Sequence, residues 1–180
     1  MVIQSGYSGP RRSWTERALA AARLDSSLYE EVEADKTATW QAAGVVAVSA
    51  VAQGIAALHH GTNGIIGSLL GALIAWVVAA AVVYLVGATL FKGTANVGEL
   101  MRTLGFAQAP GVFYVLGLIP VLGWLATPIV AIWILIADII AIRQALDIDT
   151  WKAIVTAFVA WLVVMIPLIV LGGAAFLAFR

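Results

Sequence analysis

From Ile65 to Phe91 the chain carries no charged residue at all, and that run exceeds the roughly 20 apolar residues an α-helix needs to cross a bilayer core. Comparable runs extend over Trp40 to Leu58, Phe106 to Leu122, Trp124 to Ile142 and Ala153 to Phe179. A soluble domain this small leaves much of its surface in water, so it could not bury them all. The composition agrees: 62% of the residues are hydrophobic and 11% charged, against about 25% charged in ordinary soluble domains. The pattern predicts an all-α polytopic membrane bundle of five transmembrane helices (40–58, 65–91, 106–122, 124–142 and 153–179) in the lipid bilayer. Residues 1–39 form a polar segment ahead of this membrane domain, 40–180. The length suits a single domain with no separate soluble catalytic module.

The third run is broken by Pro110, Gly111, Gly117 and Pro120. It is expected to be a span kinked at Pro110, joined to the fourth by a tight hairpin through Ile119, Pro120, Val121, Leu122 and Gly123. Orientation follows from the positions of Lys and Arg, which favour the cytoplasmic side. Arg11, Arg12, Arg17, Arg23 and Lys36 precede the first span, Lys92 and Arg102 follow the second, and Arg143 and Lys152 lie between the fourth and fifth. With five spans these share one face and leave only Arg180 on the other. The N-terminus is then cytoplasmic and the C-terminus outside. A secretory signal would place its apolar core near the start, but the first 39 residues are polar, so the first span is expected to stay in the protein. Trp40, Trp151 and Trp124 fall at span ends, where indoles favour the interface. Trp76, Trp133 and Trp161 fall mid-span as packing residues.

Three Ser/Asn-x-x-Glu spacings, at Ser13 to Glu16, Ser27 to Glu30 and Asn96 to Glu99, suit capping boxes that satisfy free helix N–H groups. They predict one or two short amphipathic helices over 13–34, with Leu24, Leu28 and Val32 on one face, and another helix over 97–105 ending at Gly105. Asp149 and Thr150 are placed to cap the fifth span.

Few residues carry chemistry. Asp138 is the one acid inside a span, where an isolated charge costs about 2.5–3.5 kcal/mol at mid-bilayer. It lies near the cytoplasmic interface and is expected to reach water or to pair with Arg102 or Arg143. His59 and His60 are adjacent, so their side chains diverge on a helix and cannot chelate a metal together; His59 alone is a weak candidate ligand for a haem or chlorophyll. Gly67 and Gly71, continued by Ala75 and Ala79, form a small-residue stripe suited to helix packing. The acidic run Tyr29, Glu30, Glu31, Glu33 and Asp35 is a solvated face or a docking site for a basic partner. The chain has no cysteine, which excludes disulfides and thiolate chemistry. It shows no nucleophile–base pair, phosphate-binding glycine loop or HExxH motif, and no basic stripe for nucleic acid. No catalytic residue, cofactor or metal is therefore expected.

Three phrases in order resemble one family: Leu28-Tyr29-Glu30-Glu31-Val32-Glu33-Ala34-Asp35; Glu99-Leu100-Met101-Arg102-Thr103-Leu104-Gly105-Phe106-Ala107-Gln108-Ala109-Pro110; and Arg143-Gln144-Ala145-Leu146-Asp147-Ile148-Asp149-Thr150. They look like the bacterial branch of the Yip (Ypt-interacting protein) domain family over roughly 24–170. The resemblance implies a five-span bundle with a cytoplasmic N-terminus. In eukaryotic relatives it implies association with small Rab-type GTPases. The eukaryotic Tyr-Gly-Pro phrase survives only as the loose echo Tyr7-Ser8-Gly9-Pro10. What transfers is a non-enzymatic scaffold of the bacterial inner membrane, binding other membrane proteins or itself. Its docking face would be Tyr29, Glu30, Glu31, Glu33, Asp35, Glu99, Arg102, Arg143 and Asp147. The competing expectations are an accessory subunit of an energy-transducing or pigment-binding complex, and a small transporter using Asp138.

Overall fold

A computed structural model describes residues 12–58 and 63–178. Two short helices come first, α1 (Trp14–Ala22) and α2 (Ser26–Ala34). Ser13 and Asn96 form the expected capping boxes. Ser13 N–H donates to Glu16 at 2.7 Å, and Asn96 N–H donates to Glu99 at 2.8 Å. Ser27 does not cap. Asp25 takes that place, accepting from the Ser27 N–H at 3.0 Å, because its carboxylate meets the helix start first and gains from the dipole there. Leu24 accordingly lies in the turn between α1 and α2, with φ of 61°, while Leu28 and Val32 are fully buried.

The long helices follow: α3 (Ala38–Ala56), α4 (Asn63–Phe91), α6 (Pro120–Leu146) and α7 (Thr150–Ala178), with the shorter α5 (Val97–Ala107) between α4 and α6. Ala38–Ala56, Ile65–Phe91 and Val121–Leu146 are long and apolar enough to cross a membrane. The apolar stretch Thr150–Ile166 of α7 is shorter, within a helix of 29 residues.

The third apolar run is not a single bent α-helix. Its first residues complete α5, which continues through Gly105 to Ala107. Residues Ala109–Leu118 then form a 3-10 helix, and α6 already begins at Pro120. Pro110 sits in the first turn of the 3-10 helix, where its missing N–H costs no hydrogen bond, and Pro120 does the same for α6. The expected hairpin loop thus shrinks to Ile119, and Pro128 is accommodated inside α6.

Close approaches between backbones give the path of this segment. A Cβ on Gly105 would fall 2.7 Å from the Ala42 Cβ, and one on Gly117 would fall 2.8 Å from the Ala56 Cβ. Between these contacts the chain runs beside α3 from Ala42 to Ala56, about 21 Å at the α-helical rise. The ten residues of the 3-10 helix cover about 20 Å at a rise near 2.0 Å per residue, where an α-helix would cover about 15 Å. The stretched helix lets a short run travel the length of the bundle. It packs between α3 and α6, and α7 packs on α4 and α6.

At one end of the bundle Leu146 lies against Gly87 and Gly93, so α4 and α6 finish together there. This end is covered by α1, α2 and α5, and it holds the largest buried side chains, including Tyr29, Leu100, Phe106 and Ile142. Away from it the helices turn apolar side chains outward: Trp124 is 80% exposed, Val121 74% and Ile66 65%. An outward apolar surface this extensive fits lipid rather than water.

Gly105→Ala forces its new methyl against Ala42 and the Trp76 indole and is expected to cost about 1–3 kcal/mol as an overpacked contact. Gly71→Ala meets nothing within 4 Å and is expected to leave the melting temperature unchanged or slightly raised. Thermal melts of the two variants in the same detergent check this contrast.

Candidate functional site

The polar residues of the covered end converge on two arginines. Glu31 and Asp35 are one turn apart on α2 and its C-terminal boundary, so their carboxylates face the same way. Arg17 of α1 reaches across to both, at 2.9 Å from each, and donates to Gln41 of α3 at 2.7 Å. Its guanidinium is 2% exposed. Hydrogen bonds to Asp35 and Glu31 outweigh burial and hold its pKa above the ordinary arginine value. Arg12 adds ion pairs to Asp25 at 3.0 Å and to Glu31 at 3.7 Å. The second clamp is Arg102 of α5, also buried. It donates to the Val32 carbonyl at 2.8 Å and to the Glu33 carbonyl. These belong to the last turn of α2, whose carbonyls have no helical partner. Tryptophans close the remaining gaps: Trp14 Nε1 donates to Gln41 O at 3.0 Å, Trp133 Nε1 to Ala22 O at 2.8 Å and Trp76 Nε1 to Met101 O at 2.8 Å.

The residues grouped as a docking face therefore separate. Tyr29 and Glu31 are buried, Asp35 is tied to Arg17 and to Thr37, and Arg102 holds α2 from inside. Glu30 stays exposed and accepts from Gln144 Nε2 at 2.9 Å. Asp147, in the left-handed position that ends α6, accepts from Thr94 at 3.0 Å. Arg143 donates to Gln144 at 3.1 Å and to Thr150 at 3.4 Å. Glu33 is half-buried beside Glu99 and Asp147. Burial first, and then those two neighbouring carboxylates, raise its pKa to about 7, with Arg102 opposing. Exposed Glu30 and Asp147, with the partly exposed Glu33 and Glu99, make an acidic patch on a fixed backbone. Burial likewise holds the Tyr29 phenol above its ordinary value, and its hydroxyl has no hydrogen-bond partner among the described residues.

Asp138 does not make the expected arginine pair. Arg102 is drawn to the α2 carbonyls instead. Arg143, five residues on, lies about 140° around the helix and turns toward Thr150. The contact Asp138 does make is a long one from Gln108 Nε2, at 3.5 Å. It lines a cavity of about 480 Å³ walled by α3, α4, α5, the 3-10 helix, α6 and α7. Ala75 and Ala79 of the small-residue stripe line this cavity too, whereas Gly67 and Gly71 face open space. His59 lies outside the described residues. Among the described residues no three His, Cys, Asp or Glu side chains gather to hold a metal.

Sequence reasoning missed Arg12 and Arg17, which it counted only as charges, and also Gln41 and Gln108. The i,i+4 spacing of Glu31 and Asp35 was the available signal, since two acids on one turn ask for a cation from a neighbouring helix.

Helices this long and apolar, with Ile, Leu, Val and Trp turned outward, define a helical membrane protein. A family model for the Yip1 domain matches residues 27–171. The chain belongs to the Yip1-domain family. No curated protein and no solved structure matches it.

Arg17→Met leaves Glu31 with only its longer contacts to Arg12 and is expected to cost about 3 kcal/mol, the low end for breaking a buried pair. The loss is expected to be read as a lower melting temperature and as new protease sensitivity between α1 and α2. Glu33 titrates in the opposite sense to a salt-bridged acid. Its folded pKa lies above its unfolded value of 4.5, so the folded state holds the extra proton and stability declines as pH rises from 4.5 to about 7. Glu33→Gln removes that decline. Relative to the parent, it is expected to gain about 1 kcal/mol at pH 8 after solvent screening, and less at pH 5; paired melts at the two pH values measure it.

Proposed function

We propose that the protein is a non-enzymatic, multi-pass scaffold of the bacterial cytoplasmic membrane that presents a rigid acidic platform to a basic protein surface. The observation that carries this reading is the double clamp by Arg17 and Arg102. It fixes α1 and α2 on the bundle and leaves Glu30 and Asp147 exposed, with Glu33 and Glu99 partly exposed. Surfaces whose backbone is already fixed lose little conformational freedom on binding, which favours recognition. Proximity of like charges around Glu33 favours a cationic partner, whose arrival relieves their repulsion.

In this reading the chain crosses the bilayer five times. The third crossing is made by the end of α5 and the 3-10 helix, and the N-terminus is cytoplasmic. Support comes from the opposite ends of α3 at which Gly105 and Gly117 lie. The basic residues also cluster at the covered end, where Lys92 follows α4, Arg102 lies in α5, Arg143 in the last turn of α6 and Lys152 in the first turn of α7, the side that positive charge favours. Gly67 and Gly71, bare on α4, offer a further surface for a second copy or another membrane protein.

The absence of cysteine makes one experiment sufficient for topology and partner together. Single cysteines replacing Lys92, Leu122 and Asp149 are treated in intact cells with a membrane-impermeant maleimide. Leu122→Cys is expected to react from outside, and the other two only after the cytoplasmic side is opened. A photo-crosslinker attached at the Asp149→Cys position, in opened membranes, is expected to capture a protein with a basic surface. Capture is expected to weaken when Glu30, Glu33 and Glu99 are changed to Gln. A chain that stays a lone monomer under cross-linking, or a Leu122→Cys that reacts from inside, overturns the reading.

A further inference from the structure

We propose that the cavity facing Asp138 is a binding site for an amphiphile with a primary ammonium head and a long apolar chain. Asp138 lies about 27 Å along α6 from Pro120, which places its carboxylate at the inner margin of a hydrocarbon core about 30 Å thick. Among the described residues no Lys, Arg or His nitrogen comes within ion-pair distance of it. Its protein contact is the long one from Gln108. Asp138 and Gln108, joined only by that long bond, thus leave the carboxylate room for a further donor.

The cavity beyond them sets the rest of the ligand. From Asp138 and Gln108 it extends past Ser49 and Tyr114 between walls that are mostly alanine and larger aliphatic residues, with Trp76 and Trp161 among them. A bare divalent cation does not suit one carboxylate with no second acid gathered beside it. An ammonium on an alkyl chain does. Its head supplies the cation and donors that Asp138 lacks, and its chain fills apolar space that is costly to leave empty and unattractive to water. Two sources share this chemistry, a phosphatidylethanolamine of the inner leaflet and a free long-chain amine. The inference goes beyond the scaffold reading and does not depend on it.

The test uses the full chain purified in a neutral detergent, with Trp76 and Trp161 as intrinsic fluorescence reporters. Dodecylammonium and dodecanol, matched in chain length, are titrated separately into the parent protein and Asp138→Asn. The parent is expected to bind dodecylammonium at least about tenfold more tightly than dodecanol, and Asp138→Asn is expected to bind the two alike. Ala157→Leu, which adds bulk at a position lining the cavity, is expected to weaken both while the helical circular dichroism is unchanged. Native mass spectrometry from nanodiscs of phosphatidylethanolamine or phosphatidylcholine assigns the source. Ethanolamine lipid retained by the parent and lost in Asp138→Asn points to the bilayer, and a dodecylammonium preference without retained lipid points to a free amine. Equal binding of the two heads by the parent, or a preference that survives in Asp138→Asn, overturns the proposal.

Discussion

Because α4 and α6 finish at the same end of the bundle, with Leu146 lodged against Gly87 and Gly93, the chain between them has to travel the full length of α3. That constraint governs the whole arrangement. In hydrocarbon each backbone N–H and C=O has to be satisfied within the protein, so the return path cannot be an open loop. An α-helix with Pro110, Gly111, Gly117 and Pro120 in it would be too short and too broken. A 3-10 helix solves both problems, since it rises further per residue and takes a proline in its first turn. Its weaker hydrogen-bond geometry is supported by α3 on one side and α6 on the other. The glycines at 105 and 117 then set how closely the segment can lie against α3 at its two ends.

The covered end is governed by charge rather than by hydrocarbon. Arg17 gathers two carboxylates and an amide from α2, its boundary and α3, and Arg102 satisfies the free carbonyls at the end of α2. The two guanidiniums are not redundant. Arg17 fixes α1 to α2, whereas Arg102 fixes α2 to α5, and α5 continues directly into the 3-10 helix. A displacement of α2 would therefore be transmitted to the segment that crosses the bundle. Planar guanidiniums with fixed forks of donors suit this work better than lysine, whose single ammonium could not hold Glu31, Asp35 and Gln41 at once.

Hydropathy made the long helices legible, because a run such as Ile65 to Phe91 admits few other structures. The capping boxes at Ser13 and Asn96 were legible for a similar reason, being local and chemically specific. Ser27 misled because Asp25, two residues earlier, competes for the same free N–H groups and is the better cap. The 3-10 helix was not legible as such. Pro110 announced a break, but the form taken after it depends on the distance to be covered, which is set by α3, α4 and α6 together. The clamps were half legible. The acidic run stood out as a docking face, yet half of its charges turn inward, since pairing with Arg17 requires knowing that α1 folds back across α2.

Asp138 shows how the two halves of the molecule meet. Sequence proximity offered Arg143 as its partner, but five residues along a helix is the wrong angular spacing, and Arg102 is committed to the α2 carbonyls. Arg17 and Arg102 are thus committed to the platform, and Asp138 is left facing a cavity. The same contact that anchors α2 leaves Arg102 unpaired with Asp138.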